Sequence, residues 1–114
     1  MAMMQVLLVD DEDEARSLLA RVLRRQGYSV DTCTDAASAL TQLEATKYDV
    51  MMTDQIMPGM SGTDLVVAAR RLQGGLRCIV ASGQVPPGES TRGDTVWITK
   101  PLDIGEVFEL LGPP

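Results

Sequence analysis

The sequence contains no histidine and only two cysteines, Cys33 and Cys78. Without histidine there is no histidine general base, no histidine metal ligand and no phosphohistidine formed on this chain. The two cysteines form no CxxC motif and lie in strand-like stretches. This pattern favours buried free thiols over a disulfide and suits a reducing cytoplasm. We therefore expect a cytoplasmic protein without a histidine or thiol centre.

Positive charge and long apolar runs are also scarce. Ten Lys and Arg face sixteen Asp and Glu, and the net charge is −6. Nucleic acids and anionic membranes repel an acidic surface, so we expect neither to be a partner of this domain. No apolar run approaches the roughly 20 residues that span a bilayer. The start, MAMMQVLLVDDE, has no basic stretch before its apolar run, so we expect no signal peptide.

What remains is a chain of 114 residues with a 45% apolar fraction, which predicts one domain, 1–114, with its own core. Strand patterns alternate with helix patterns along it. The predicted strands cover 5–9, 28–32, 49–53, 77–81 and 95–99. Helical spacing marks 14–26, with Gly27 as a left-handed stop, and 104–111. Between them, Asp35 can cap a second helix, and a third helix ends before Gly74; their apolar positions are Ala39, Leu40 and Leu43, and Leu65, Val66, Ala69 and Leu72. This alternation indicates βαβ units, a parallel sheet and helices on both faces, which is an α/β fold.

One segment breaks the alternation. Residues 83–95 read GQVPPGESTRGDT and contain two prolines and three glycines. Proline and glycine both disfavour a helix interior, so we expect a loop there with at most one helical turn.

Carboxylates follow two of the predicted strands. Asp10, Asp11 and Glu12 end the first strand, and Asp54 follows the third. In an open parallel sheet, ligands bind at the carboxyl ends of the strands. Two carboxylates about 4 Å apart repel by roughly 4 kcal/mol at an effective dielectric constant near 20, which favours a cation between them. Oxygen ligands suit Mg²⁺, whereas a flavin or dinucleotide phosphate requires backbone N–H groups and glycines instead.

Two more residues point to the same edge. Ser82 follows the fourth strand and Lys100 follows the fifth. A metal, an aspartate, a hydroxyl and an ammonium can surround a phosphoryl group in transfer. In this interpretation Asp54 attacks as the nucleophile, Mg²⁺ and Lys100 neutralise the phosphoryl oxygens, and Ser82 donates a hydrogen bond.

Each residue alone has an ordinary alternative. The acids at 10–12 are typical of a helix N-cap, and Asp54 is typical of a turn before Pro58. Ser82 alone is a small loop residue, and Lys100 alone is a solvated surface lysine. Only the joint pattern favours a common site.

The chain resembles the receiver domain of two-component response regulators from Val6 to about Leu111. The similar stretches, in order, are LLVDDE, YDVMMTDQIMPGMSG, IVASG and WITKP. The sequence DQIMPGMSG looks most like that of receivers attached to hybrid sensor histidine kinases. The resemblance implies a flavodoxin-like, doubly wound, five-stranded parallel sheet in the order 2-1-3-4-5. Residues 83–95 depart from the family, because their prolines and glycines predict a fourth helix that is shortened or absent.

The resemblance also implies roles for single residues. Asp54 would be the phosphoacceptor, with phosphohistidine on a sensor histidine kinase or a histidine phosphotransfer protein as the donor. Mg²⁺ would be held by Asp11, Asp54 and the backbone carbonyl of Ile56, with Asp10 acting through water. The peptide bond before Pro101 would be cis.

A conformational switch is implied as well. In this family the Ser or Thr after the fourth strand moves toward the phosphoryl group, and an aromatic residue three positions before the Lys follows it. Those positions hold Ser82 and Trp97, the only tryptophan of the chain.

Three function classes stay open. The first is a phosphorylation-dependent signalling module that catalyses only its own phosphorylation and dephosphorylation; if it was excised from a hybrid kinase, the parent is a histidine kinase. The second is a pseudo-receiver that binds partners without phosphorylation, which phosphoryl uptake would distinguish. The third is a Mg²⁺-dependent enzyme acting on small phosphoesters. We disfavour it because such enzymes carry Asp-x-Asp after the first strand and a cap domain, whereas this chain has Asp-Asp-Glu there. The sequence does not decide the oligomeric state.

Overall fold

Five parallel strands form the centre of the molecule in the computed structural model, which describes residues 3–84, 91–92 and 95–114. The sheet order is β2-β1-β3-β4-β6-β5. The strands are β1 (Gln5–Val9), β2 (Ser29–Cys33), β3 (Val50–Asp54), β4 (Arg77–Ser82), β5 (Thr91–Arg92) and β6 (Thr95–Thr99). The predicted α/β architecture is confirmed, because the five parallel strands, taken in chain order, follow the expected order 2-1-3-4-5.

The structure differs from the sequence-based expectation at the edge of the sheet. β5 pairs antiparallel with β6, in a segment where only a loop was expected. Two residues are too few to show the alternation by which a strand is recognised. No helix is found between β4 and β6 among the described residues, in line with a shortened or absent fourth helix. Residues 85–90 and 93–94 of that segment lie outside the described residues.

In the part of the chain that the structure describes, four helices cover the two faces of the sheet. They are α1 (Asp13–Gln26), α2 (Ala36–Ala45), α3 (Gly62–Leu72) and α4 (Ile104–Leu111). Gly27 ends α1 with a φ of 111°, in the left-handed conformation that glycine adopts readily. Asp35 caps α2 by accepting a hydrogen bond from the Ser38 N–H at 2.8 Å. None of the described helices has the length and apolarity that crossing a bilayer requires.

The core consists of two apolar layers, one on each face of the sheet. One layer joins the sheet to α2 and α3 and contains both cysteines and Trp97; the other joins it to α1 and α4. Cys33 and Cys78 are buried and form no disulfide, which confirms that prediction. A fully buried Leu or Met in either layer contributes about 1.5–3 kcal/mol through the hydrophobic effect.

The strand register brings the candidate site residues to one edge. Val9 of β1 pairs with Thr53 of β3, so Asp10 follows beside Asp54. On the other side, Ser82 of β4 pairs with Thr99 of β6. Because parallel strands point the same way, these carboxyl ends, and Lys100 after β6, meet at the same edge.

Candidate functional site

Three aspartates converge at the carboxyl edge of the sheet. Carboxylate oxygens of Asp10, Asp11 and Asp54 all lie within 4.8 Å of one another. Asp10 and Asp54 are only 8% and 5% exposed, whereas Asp11 is exposed. Two unit negative charges at this separation repel by roughly 3–4 kcal/mol at an effective dielectric constant near 20. The pocket therefore concentrates negative charge where little water is available to screen it.

Lys100 supplies the positive charge nearest to Asp54. Its Nζ lies 2.6 Å from Asp54 Oδ1. Burial lowers the pKa of the Lys100 ammonium, but its hydrogen bond and charge interaction with Asp54, helped by Asp10 and Glu12, raise it overall. The Lys100 N–H donates to the Ser82 carbonyl at 2.8 Å, and the peptide bond to Pro101 is cis, the isomer that the resemblance implies. Lys100 is thus held as a charged partner of Asp54.

The ionisation of Asp54 is strongly disfavoured. Burial, followed by the hydrogen bond and charge of Asp10, raises the pKa of Asp54 from 3.8 to about 7, although Lys100 acts in the opposite direction. One lysine therefore does not fully compensate these carboxylates. A second cation would remove the remaining penalty.

The donor set fits a hard divalent cation. Three carboxylates within reach of one point, with no thiol or imidazole among them, match the oxygen ligands that Mg²⁺ prefers. The raised pKa of Asp54 agrees with this fit, because burial first and then Asp10 disfavour its charged form, and a bound cation would stabilise that form.

The loop after Asp54 is fixed by contacts that the sequence analysis missed. The Gln55 N–H donates to the Ala81 carbonyl at 2.9 Å, and the Gly62 N–H donates to the Gln55 carbonyl at 2.8 Å. The Gln55 side chain accepts from the Thr63 N–H at 2.9 Å. These bonds close the chain from β3 back onto the start of α3. The available signal was Ser61-Gly62, a serine N-cap followed by a glycine at the start of a helix.

Gly62 approaches the backbone of Asp54 very closely. A Cβ at position 62 would lie 2.3 Å from the Asp54 carbonyl oxygen and 3.0 Å from its carbonyl carbon. Both atoms belong to the backbone, so neither can rotate away. Only glycine allows α3 to begin this near to the end of β3.

Gly62→Ala is therefore expected to lower the free energy of unfolding by about 1–3 kcal/mol, because overpacking forces the backbone to shift. Urea denaturation measures the loss. Gly74→Ala is the matched control, since a Cβ there would meet nothing within 4 Å. Equal stability of the two variants would contradict the importance of the close approach at Gly62.

The acids at positions 10–12 do not form the side-chain N-cap that was weighed for them. Asp10 Oδ1 accepts from the Glu12 N–H at 2.8 Å, and Glu12, at the N-cap of α1, makes no side-chain cap hydrogen bond. Arg16 donates to the Asp10 carbonyl at 2.9 Å and pairs with Asp13 at 2.7 Å. Arg16, which the sequence analysis did not single out, thus holds the turn that carries Asp10 and Asp11.

Ser82, Trp97 and Ile56 differ in burial and in their contacts. The Ser82 hydroxyl donates to the Gln84 carbonyl at 3.0 Å and accepts from the Gln84 N–H at 3.2 Å. Trp97 is 9% exposed and belongs to the apolar layer under α2 and α3. Ile56 follows β3 in the loop beside Asp54, and its side chain is 83% exposed. The structure thus places Ser82 at the edge of the pocket and Trp97 in the core.

Comparison with known proteins identifies similar chains. The family profile of the response regulator receiver domain matches residues 6–111. The receiver domain of the hybrid histidine kinase CckA is 34% identical with a TM-score of 0.80, over 92% of this chain and 93% of that one. TrrA from Thermotoga maritima, a response regulator solved in complex with Mg²⁺ and BeF, is 28% identical with a TM-score of 0.82, over 94% and 95% of the two chains.

One relative is much longer than this chain, so that only part of it is matched. The transcriptional regulatory protein TcrA of Mycobacterium tuberculosis is 30% identical over 111 residues, which cover 94% of this chain and 44% of TcrA. The chain thus spans less than half of this relative.

Proposed function

Because the chain belongs to the response regulator receiver domain family of two-component systems, we propose that it accepts a phosphoryl group from phosphohistidine on Asp54. We propose further that residues 1–114 form one such domain. The observation that carries this proposal is the placement of the Asp54 carboxylate, buried beside Asp10 and 2.6 Å from the Lys100 ammonium. An aspartate in this setting is displayed to react rather than to cap a helix or turn.

The proposed reaction is an in-line transfer. A carboxylate oxygen of Asp54 attacks the phosphorus, the P–N bond to the donor imidazole breaks, and the imidazole nitrogen keeps the electron pair and takes up a proton. The product on this chain is an acyl phosphate at Asp54. Lys100, already charged and adjacent, moves with little rearrangement to a phosphoryl oxygen.

Mg²⁺ completes the proposed site. Asp11, Asp54 and the backbone carbonyl of Ile56 would hold it, and Asp10 would act through water. The ion would neutralise charge on the phosphoryl oxygens during transfer. Asp11 is exposed and therefore reaches solvent, from which a metal with its waters enters.

The proposed response runs through Ser82. Its hydroxyl is bonded at present to the backbone of Gln84, so bonding a phosphoryl oxygen requires it to exchange these partners. Such an exchange would move the start of the segment after β4. Trp97 lies one strand away on β6, where Val80 of β4 is its register partner. A change in β4 and its following loop therefore alters the environment of the indole ring.

The partners follow from the same assignment. The donor would be a sensor histidine kinase or a histidine phosphotransfer protein in the cytoplasm. The likeness to the CckA receiver supports a hybrid histidine kinase as the parent, if this chain is part of a longer protein. Catalysis by this domain would extend only to its own phosphorylation and dephosphorylation.

Trp97 fluorescence provides the test of this proposal. Beryllofluoride imitates a phosphoryl group on a carboxylate, and one tryptophan gives a signal of known origin. We expect a saturable change that requires Mg²⁺, and we expect Asp11→Asn to need about tenfold more Mg²⁺, since losing one charged oxygen ligand costs on the order of 1.4 kcal/mol.

Asp49→Asn serves as the matched control, because Asp49 is exposed and its carboxylate binds the Gln5 N–H at 2.7 Å, outside the three-aspartate pocket. An unchanged Mg²⁺ requirement in Asp11→Asn would remove Asp11 from the ligand set. A phosphorylated but silent protein would leave the site intact and refute the Trp97 switch. A protein that neither binds beryllofluoride nor takes up phosphate would instead be a pseudo-receiver.

A further inference from the structure

A groove lined by four arginines runs along the outer side of α1. Its volume is about 550 Å³, and its walls come from α1 and from Thr32 of the edge strand β2. The side chains that line it are those of Arg16, Ser17, Arg21, Arg24, Arg25 and Thr32, around the buried Ala20. Among the described residues, no acidic side chain lines it.

This basic groove is unexpected in a protein with a net charge of −6. The chain has only ten basic residues, and four of them line this one groove. On β2, Asp31 is the acid next to Thr32, but its carboxylate accepts from the Tyr48 hydroxyl at 2.5 Å. Tyr48 packs in the apolar layer under α2 and α3, on the opposite face of the sheet. Asp31 therefore does not neutralise the groove.

The arginines divide into two that are engaged and two that are free. Arg16 binds the Asp10 carbonyl and Asp13, and Arg24 donates to the Val30 carbonyl at 2.7 Å. Arg21 and Arg25 are exposed and form no hydrogen bond or ion pair with any described residue. They are four residues apart, so both guanidinium groups project from one face of α1, roughly 6 Å apart at their Cβ atoms.

We propose that this groove binds an acidic segment of a partner protein, with carboxylates paired to Arg21 and Arg25. Guanidinium groups form planar, two-point hydrogen bonds with carboxylates, and the Ser17 and Thr32 hydroxyls offer further hydrogen bonds. An acidic segment fits better than a nucleic acid or an anionic membrane. Those extended polyanions would also meet the acidic remainder of this surface, whereas a short segment meets only the groove.

The proposal does not depend on phosphorylation at Asp54, and it is tested on the unphosphorylated protein. The uniformly ¹⁵N-labelled chain is titrated with a deca-glutamate peptide, and a deca-glutamine peptide serves as the neutral control. Amide shift changes are expected to concentrate at residues 16–25 and at Thr32, and to disappear near 1 M salt, where the Debye length falls to about 3 Å.

Two matched double variants decide the specificity. Arg21→Gln/Arg25→Gln should weaken deca-glutamate binding by about fivefold or more, since exposed ion pairs contribute up to about 1 kcal/mol each. Lys47→Gln/Arg71→Gln removes the same charge from exposed positions outside the groove and should leave binding within about twofold of wild type.

Equal weakening in both double variants would overturn the proposal, because only net charge would then matter. Shift changes outside the groove, or none at all, would overturn it without any variant. Tighter binding of phosphatidylglycerol vesicles or of a DNA duplex through Arg21 and Arg25 would replace the acidic segment with that occupant. None of these outcomes bears on phosphoryl uptake by Asp54.

Discussion

Asp54→Asn is expected to abolish phosphorylation of the chain by acetyl phosphate in the presence of Mg²⁺. The amide oxygen of asparagine is a poor nucleophile and yields no stable acyl phosphate, so the expected loss is from full labelling to none. Asparagine has nearly the same shape as aspartate and keeps an oxygen acceptor for Lys100. The fold should therefore persist. Intact-mass spectrometry measures the label directly.

A matched control separates the site from general acidity. Asp64→Asn removes one carboxylate from the exposed first turn of α3, where no contact of its side chain is found among the described residues. It should be labelled like the wild type. Labelling of Asp54→Asn at another residue, Asp10 or Asp11 above all, would show that the pocket is right but the phosphoacceptor is misassigned.

The second large effect concerns the stability of the metal-free protein, which we expect to fall between pH 4 and pH 8 through Asp54. In the unfolded chain this carboxyl loses its proton near pH 3.8, but in the folded chain it keeps the proton until about pH 7. Between these values the unfolded state binds fewer protons, so raising the pH favours unfolding. The stabilisation is complete below about pH 4 and lost as the pH rises through 7.

The expected size is on the order of 4 kcal/mol, since each pKa unit corresponds to about 1.4 kcal/mol. Asp54→Asn should lack this dependence. With EDTA present, the variant and the wild type should unfold at similar urea concentrations near pH 4, and the variant should be the more stable at pH 8. Subtracting one protein from the other removes the titration of all other groups.

Added Mg²⁺ should reverse the order at pH 8. A ligand that binds only the folded pocket raises the free energy of unfolding, and the wild type retains the carboxylate that the metal requires. A stability difference between the two proteins that is independent of pH would refute the raised pKa of Asp54. A wild type that does not respond to millimolar Mg²⁺ would indicate a degenerate site.

The sequence patterns predicted the five parallel strands with ends that differ from the observed ends by at most about one residue. The predicted strand 95–99 is Thr95–Thr99, but the predicted 49–53 is Val50–Asp54. The shift arises because pairing decides where a strand ends: Asp54 pairs with Ala81 of β4 and so remains in the strand. The two-residue β5 left no pattern to read, because it exists only through its pairing with β6.

The sequence by itself determined that carboxylates, a hydroxyl and a lysine follow successive strands, and parallel strands necessarily bring such residues to one edge. Tertiary structure alone decided the raised pKa of Asp54, the close approach of Gly62 and the two uncompensated arginines on α1. Each of these depends on distances of a few ångströms between residues that are separate in the chain. The order of residues determines which groups lie at the carboxyl edge of the sheet. Burial and the distances between these groups determine their pKa values and how closely the backbone segments can pack.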